Sequence, residues 1–166
     1  MHPNSRMIMT LMINDYLNKA EPAKILDVGS YDVNGTYKDL FGVPGWEYTG
    51  LDVQAGPNVD VVLEDPYAFP FPDDAFDVVI SGQALEHIEF FWKTWAEIVR
   101  VTRNGGIIIM IAPFRIREHR YPVDCWRFLP DGFKALARLE GLEGVLRTGI
   151  SVANESQADT YGVFRK

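Results

Sequence analysis

The sequence has a single cysteine, Cys125, among its 166 residues. One thiol can form neither an internal disulfide nor a multi-cysteine zinc site, and such sparse use is compatible with a reducing compartment. Basic residues are also few, since 16 Lys and Arg stand against 23 Asp and Glu for a formal net charge of −7. Because nucleic acids and anionic membranes are themselves negative, this balance disfavours nonspecific binding to either. We therefore expect no nucleic-acid partner.

Long hydrophobic runs are missing as well. The apolar stretch at 7–13 is far too short to span a membrane, and no small-residue cleavage pattern follows it. We therefore expect neither membrane association nor a signal peptide, and we expect a cytoplasmic protein. With 47% hydrophobic and 23% charged residues and no repeats, the chain fits one domain with a sizeable core.

Apolar residues are concentrated in short continuous runs, which are typical of buried strands. Strands are predicted at 24–28, 46–52, 59–63, 76–80, 107–112, 144–152 and 160–165. Helices are predicted at 5–20, 35–41, 86–101 and 130–139, the first capped by Ser5 with Ile8, Leu11, Met12 and Tyr16 on one face. Strands that alternate with helices indicate an α/β fold with a mainly parallel sheet.

Two of the predicted strands end in residues that suit a nucleoside. The first contains Asp27 and breaks at Gly29, where the missing Cβ allows a ligand to approach the backbone. The second ends at Asp52, 23 residues after Gly29. In nucleotide-binding α/β folds an acid at that spacing accepts hydrogen bonds from a ribose diol. The G-x-G-x-x-G pattern is absent, which counts against a dinucleotide.

The motifs between residues 23 and 112 resemble those of the class I S-adenosylmethionine-dependent methyltransferases, particularly small bacterial ones with a core like the ubiquinone-biosynthesis enzymes. Six pieces match in the family's order: Ile25-Leu-Asp-Val-Gly29, Gly50-Leu-Asp52, Glu64-Asp65, the 69–80 segment, Ala84-Leu-Glu-His-Ile88 and Val101-Thr-Arg-Asn-Gly-Gly106. One departure is that Tyr31 and Val33 replace glycines that the family often has after its first.

The resemblance implies a fold, an activity and a cofactor. The fold is one Rossmann-like domain over residues 1–166, with seven strands in the order 3-2-1-4-5-7-6 and strand seven antiparallel. Its expected parts are an N-terminal helix at 1–22, a cofactor-binding core at 23–112, an acceptor-binding segment at 113–129, and a final helix with closing strands at 130–166. The activity is methyl transfer from S-adenosylmethionine to a small acceptor.

The resemblance also assigns residues to the cofactor. Gly29 and its neighbours would face the methionine part, Asp52 the ribose, and Asp65 the adenine amino group. The predicted set is Asp27, Gly29, Ser30, Tyr31, Asp52, Val53, Asp65, Pro66, Ser81, Gly82 and Gln83. Asp27 has a second interpretation from its strand position, namely that it anchors the loop through hydrogen bonds.

After residue 113 the chain becomes dense in aromatic and basic residues. Four arginines fall within the thirteen residues 115–127, and a guanidinium fork suits a phosphate or carboxylate on the acceptor. The predicted acceptor-binding residues are Arg115, Arg120, Tyr121, Trp126 and Arg127. The alternative is a surface loop held by internal Arg–carboxylate pairs.

His119 is the predicted general base of this segment, with Asp124 orienting its ring; His87 is a weaker candidate. Cys125 is expected to be a buried small hydrophobe. The spacing of histidines and acids along the chain predicts no metal site.

Two other functions remain open at this point. The altered glycine loop and the short connection after strand two allow a non-catalytic cofactor-binding module that works through a partner protein. A nicotinamide-dependent dehydrogenase is the third possibility. The sequence leaves the oligomeric state, the acceptor and the methylated atom open.

Overall fold

The computed structural model describes residues 3–142 and 144–166. In chain order, the elements of these residues are α1 (Pro3–Tyr16), β1 (Ala23–Val28), β2 (Trp46–Asp52), β3 (Val61–Val62), β4 (Phe76–Gly82), α2 (Phe91–Val101), β5 (Thr102–Arg115), α3 (Pro130–Leu139), β6 (Gly144–Asn154) and β7 (Gln157–Arg165). Two short 3-10 helices lie at Lys38–Phe41 and Leu85–His87.

The seven strands form one sheet in the order β3-β2-β1-β4-β5-β7-β6. All neighbours from β3 to β5 pair in parallel, whereas β7 runs antiparallel to both β5 and β6. The predicted strand order and the antiparallel seventh strand are thus confirmed. The order reverses between β1 and β4, so the carboxyl ends of these strands border the crevice where such sheets bind ligands.

Both faces of the sheet are covered, because alternate residues of its central strands are apolar in both directions. In β5, Ile108 and Met110 pack in the cluster that contains Trp95 of α2 and Phe133 of α3. Ile107, Ile109 and Ile111 pack on the opposite face, in the cluster that contains Met9 and Met12 of α1. This two-sided burial explains the uninterrupted apolar run that predicted the strand.

The first helix differs from its prediction. It begins at Pro3 and ends at Tyr16, so Ser5 lies inside it, fully buried, with its hydroxyl hydrogen-bonded to that of Tyr37. Its buried face contains Met9 instead of Leu11, which is 48% exposed. A capping role for Ser5 is therefore wrong.

The predicted helix at 86–101 is interrupted. Its first part is the 3-10 turn Leu85–His87, and α2 begins only at Phe91. The indole Nε1 of Trp126 donates to the carbonyl oxygens of Ile88 and Glu89, at 3.0 and 3.2 Å. In a continuous helix, these two carbonyl oxygens would accept hydrogen bonds from backbone N–H groups of the next turn.

Several other boundaries also move. The helix predicted at 35–41 is the 3-10 turn Lys38–Phe41, and the third strand shrinks to Val61–Val62. The glycine turn at 104–106 lies within β5 and does not end a helix, because α2 already stops at Val101. In the described parts of the chain, no helix has the length and apolar character needed to cross a membrane.

Candidate functional site

The turn after β1 packs closely against the end of β4. Gly29 has φ +80°, and a Cβ there would lie 2.2 Å from the Cβ of Ala84. The backbone N–H groups of Gly29 and Ser30 both donate to the carbonyl oxygen of Leu51, at 2.9 and 3.1 Å. Only glycine fits this position without displacing its neighbours.

Asp52 connects the same turn to the end of β2. Its Oδ2 accepts a hydrogen bond from the Tyr31 backbone N–H at 3.0 Å, and its Oδ1 accepts one from Gln54 N–H at 3.0 Å. A carboxylate has about four lone-pair sites, so each oxygen can accept a further hydrogen bond. Asp52 is half-buried.

The sequence did not predict the role of Asn58, which lies in the short connection between β2 and β3. Its Nδ2 donates to the Ser30 carbonyl oxygen at 2.9 Å and to the Tyr48 hydroxyl at 3.0 Å, and its own carbonyl oxygen accepts from Ser30 Oγ at 2.9 Å. Its backbone has φ +67°, a conformation that asparagine tolerates. The Gly56-Pro-Asn58 turn was the available signal.

Asp27 is buried at the end of β1, where it accepts a hydrogen bond from the Tyr48 hydroxyl. Burial raises the pKa of Asp27 to about 7; the Tyr48 hydrogen bond opposes this shift and the charge of Asp52 adds to it. The residue is only 3% exposed. This position matches the loop-anchoring interpretation, with cofactor contact left as a prediction.

The end of β4 brings three further predicted residues to the crevice. Ser81 is buried and its hydroxyl donates to the Val28 carbonyl oxygen at 2.8 Å. A Cβ on Gly82 would lie 2.2 Å from the hydroxyl oxygen of Tyr37, a residue that the sequence did not single out. Gln83 has φ +61°, and its Nε2 donates to Asp159 Oδ1 at 3.0 Å.

The remaining predicted cofactor residues are more exposed. Val53 is 55% exposed just beyond β2. Asp65 is exposed and accepts a hydrogen bond from the Tyr67 backbone N–H at 2.8 Å. The carbonyl oxygen of Pro66 accepts from Thr94 Oγ1 at 3.2 Å, which attaches this turn to α2.

An open pocket of about 420 Å³ adjoins the loop after β1. It lies between the start of α1 and the loop at 32–39. Its lining residues are Pro3, Arg6, Asp32, Asn34, Gly35, Thr36 and Asp39. Arg6 pairs with Asp39 beside it, through a hydrogen bond of 2.8 Å from one guanidinium nitrogen to Oδ1.

The segment at 116–129 has no regular secondary structure and packs over the 3-10 turn that follows β4. The Cys125 N–H donates to the Glu86 carbonyl oxygen at 2.7 Å, and His87 Nδ1 lies 2.6 Å from the Val123 carbonyl oxygen. Trp126 attaches the segment to the start of α2 through its indole. Cys125 itself is exposed, so its predicted burial is wrong: its backbone makes the contact and its side chain does not.

Two of the arginines in this segment are paired with acids. Arg127 forms a bidentate pair with Asp124, at 2.6 and 2.8 Å. This pairing holds the pKa of the Asp124 carboxyl well below its usual range. Arg120 pairs with Glu118 at 2.6 Å on the surface.

The other predicted residues of the segment have different surroundings. Arg115 donates to the Asn154 carbonyl oxygen at 3.3 Å. Tyr121 is 55% exposed, with its ring 5.6 Å from that of His87. His119 is close to its predicted partner: its backbone N–H donates to Asp124 Oδ2 at 2.7 Å, and Nδ1 lies 3.5 Å from the same oxygen.

Packing of the segment also gathers Glu86, His87 and His119. One side-chain ligand atom from each of the three lies within 4.8 Å of the other two. Glu86 is fully buried, and burial raises the pKa of its carboxyl to about 8. The sequence analysis predicted no such cluster, because 31 residues separate His87 from His119.

The chain is similar in sequence to known methyltransferases. A family model described as a methyltransferase domain matches residues 26–110. An uncharacterized methyltransferase of Mycobacterium marinum is 31% identical over 97 residues, which cover 52% of this chain and 37% of that protein. A counterpart from Mycobacterium leprae is 32% identical over 97 residues, covering 52% and 35%. The matched region is thus little more than a third of these relatives' length.

Solved structures share the fold at low sequence identity. The crystal structure of the [4+2]-cyclase SpnF has a TM-score of 0.76 and 16% identity, covering 97% of this chain and 81% of that one. The 1,6-didemethyltoxoflavin-N1-methyltransferase of Burkholderia thailandensis, with bound 1,6-didemethyltoxoflavin and S-adenosylhomocysteine, has a TM-score of 0.75 and 16% identity, covering 99% and 79%. At such identities the likeness establishes the fold alone.

Proposed function

Because this chain belongs to the methyltransferase domain family, we propose that it binds S-adenosylmethionine and transfers the methyl group to a small acceptor in the cytoplasm. The observation that carries the proposal is the hydrogen bond between Asp52 Oδ2 and the Tyr31 N–H, 3.0 Å long. It joins the glycine turn of β1 to the acid that ends β2, at the point where the strand order reverses. A nucleoside with a charged tail fits across such a junction.

The residues at this junction fit the cofactor's parts. Asp52 retains lone pairs for the ribose diol. The Gly29–Tyr31 turn would face the methionine part. The Tyr31 ring packs against Gly56, where a Cβ would lie 2.1 Å from its Cε2. Asp65, with Pro66 and Val53, would contact the adenine. When bound, the cofactor supplies an electrophilic methyl group on a sulfonium.

The chain's contribution to catalysis is mainly orientation. Methyl transfer is an in-line displacement, and holding two groups in line contributes up to roughly 7–11 kcal/mol. A base is needed only if the acceptor must lose a proton. His119 with Asp124 stays our prediction for that base.

The acceptor would lie beneath the 113–129 segment, beside the end of β4. Tyr121 and Trp126 are its candidate walls. Arg115, Arg120 and Arg127 are the candidate contacts for an anionic group. To bind it, Arg120 would have to leave Glu118 and Arg127 would have to leave Asp124.

Asp52→Ala should weaken binding of S-adenosylhomocysteine by roughly 1–3 kcal/mol, because the substitution removes a charged hydrogen-bond acceptor. Titration calorimetry at fixed pH measures the change. Asp52→Asn, which keeps one acceptor oxygen, should lose less. Asp131→Ala is the matched control, since this carboxylate is 89% exposed on α3. Equal affinity of the Asp52 variants and the wild type would remove Asp52 from the site.

Transfer itself is tested separately, with a radiolabelled methyl group and a panel of small acceptors. Label on any product, dependent on the protein, supports the enzyme. Tight binding of S-adenosylhomocysteine with no labelled product across the panel favours the non-catalytic module.

A further inference from the structure

We propose that Glu86, His87 and His119 bind one divalent transition-metal ion of the Zn²⁺ type. The three side chains converge beneath the 113–129 segment, with ligand atoms within 4.8 Å of one another. His87 Nε2 and Glu86 Oε1 are 3.7 Å apart. Two ligands at about 2.1 Å from one tetrahedral ion are about 3.4 Å apart, so this pair is already close to ligating distance.

The Glu86 carboxylate is the strongest sign of a missing cation. It is fully buried, and among the residues that the structure describes neither of its oxygens has a hydrogen-bond partner. A buried carboxylate without partners is costly. A metal ion bound by one of these oxygens would supply the carboxyl group with a partner.

The two histidines are held in a manner that suits metal ligation. His87 Nδ1 lies 2.6 Å from the Val123 carbonyl oxygen, and His119 Nδ1 lies 3.3 Å from that of Arg117. A proton on each Nδ1 satisfies these contacts and leaves the Nε2 lone pair free. Metal-binding histidines typically donate their other N–H to a backbone carbonyl or carboxylate in this way.

Local charge also favours a dication. Asp124, Asp159 and Arg127 are the charged groups that act on Glu86. The Arg127 guanidinium is already paired with Asp124 at 2.6 Å, so it does not balance the charges of both acids. Two imidazoles and one carboxylate are a ligand set for Zn²⁺ or a similar ion, whereas Mg²⁺ prefers oxygen ligands and water.

The site's role rests on the proposed function. Three protein ligands leave at least one position open for an acceptor oxygen or nitrogen. An ion there would lower the acceptor's pKa and fix its position, so His119 would act as a ligand in place of a base.

The test is calorimetric titration of the chelator-treated full chain with Zn²⁺, repeated with Mg²⁺. We expect one Zn²⁺ per chain and no Mg²⁺ binding under the same conditions. Glu86→Gln and His119→Ala should each weaken Zn²⁺ binding by about a hundredfold or more. Glu89→Gln, three residues away and exposed, should bind as the wild type does. Co²⁺ provides a second readout, since its visible absorption should indicate four or five ligands and should change in both variants.

If His119→Ala binds Zn²⁺ as tightly as the wild type does, the proposal is wrong. If that variant then loses methyl-transfer activity, His119 is the general base. Weak binding of several Zn²⁺ ions per chain, with affinities that no variant changes, would also overturn the proposal. Circular dichroism checks that each variant is folded. Titration with S-adenosylhomocysteine is read separately, so failure to bind the cofactor bears on the proposed function and failure to bind Zn²⁺ on the metal site.

Discussion

Gly29→Ala should destabilise the protein by about 2–5 kcal/mol and weaken binding of S-adenosylhomocysteine roughly a hundredfold. Two causes add together. The left-handed backbone at φ +80° is unfavourable for alanine, and the new methyl would lie 2.2 Å from the Cβ of Ala84. Because the N–H groups of residue 29 and Ser30 hydrogen-bond to the Leu51 carbonyl oxygen, relief of the clash moves the turn that carries the proposed site. Denaturant unfolding and calorimetry measure the two effects.

The matched control for Gly29→Ala is a double variant. Ala84→Gly removes the methyl group that the new Cβ would meet. The double variant should therefore recover the part of the lost stability that comes from the clash. The backbone strain, about 1–2 kcal/mol, should remain. If Ala84→Gly recovers nothing, the close contact between the two turns is not the cause.

Asp27→Asn should change how stability depends on pH. Burial raises the pKa of Asp27 from 3.8 to about 7. Between these values the folded chain holds a proton that the unfolded chain has released, so this carboxyl's contribution is lost as the pH rises from about 4 to 7. The amide does not titrate. Relative to the wild type, the free energy of unfolding of Asp27→Asn should therefore rise by about 3 kcal/mol between pH 5 and pH 8.

Denaturant unfolding at the two pH values measures this difference. The buried carboxyl of Glu86 titrates in the same range, but it is present in both proteins and cancels. Asp131→Asn, at an exposed acid, should show no pH-dependent difference from the wild type. A variant at position 27 whose advantage is the same at pH 5 and pH 8 would show that Asp27 is already ionised in the folded protein.

The strand order and the position of Asp52 could be predicted because local signals determine them. The central strands β1, β4 and β5 contain short apolar runs, and Asp52 falls directly at the end of β2. The family's order of motifs supplied the rest of the topology, including the antiparallel β7.

What the sequence missed depends on contacts between distant residues. Where the helix predicted at 86–101 is interrupted, the Ile88 carbonyl oxygen accepts a hydrogen bond from the indole of Trp126, 38 residues later. Likewise, Tyr37 reaches Gly82, and Asn58 joins Ser30 to Tyr48. Helical periodicity carries no information about such partners.

The cluster of Glu86, His87 and His119 was missed for a related reason. Glu86 and His87 are adjacent in sequence, so no helical or strand spacing places both on one face. The 3-10 turn at Leu85–His87 does so, and the irregular segment then adds His119. Neither the turn nor the path of that segment follows from residue spacing.

The most direct test of the central claim is calorimetric titration of the purified protein with S-adenosylhomocysteine, with NAD as the control. We expect one S-adenosylhomocysteine per chain with micromolar affinity, and no heat from NAD. Binding to neither compound would mean that the Tyr31-containing loop does not accept the nucleoside. Binding to NAD in preference to S-adenosylhomocysteine would contradict the account outright and favour a dehydrogenase.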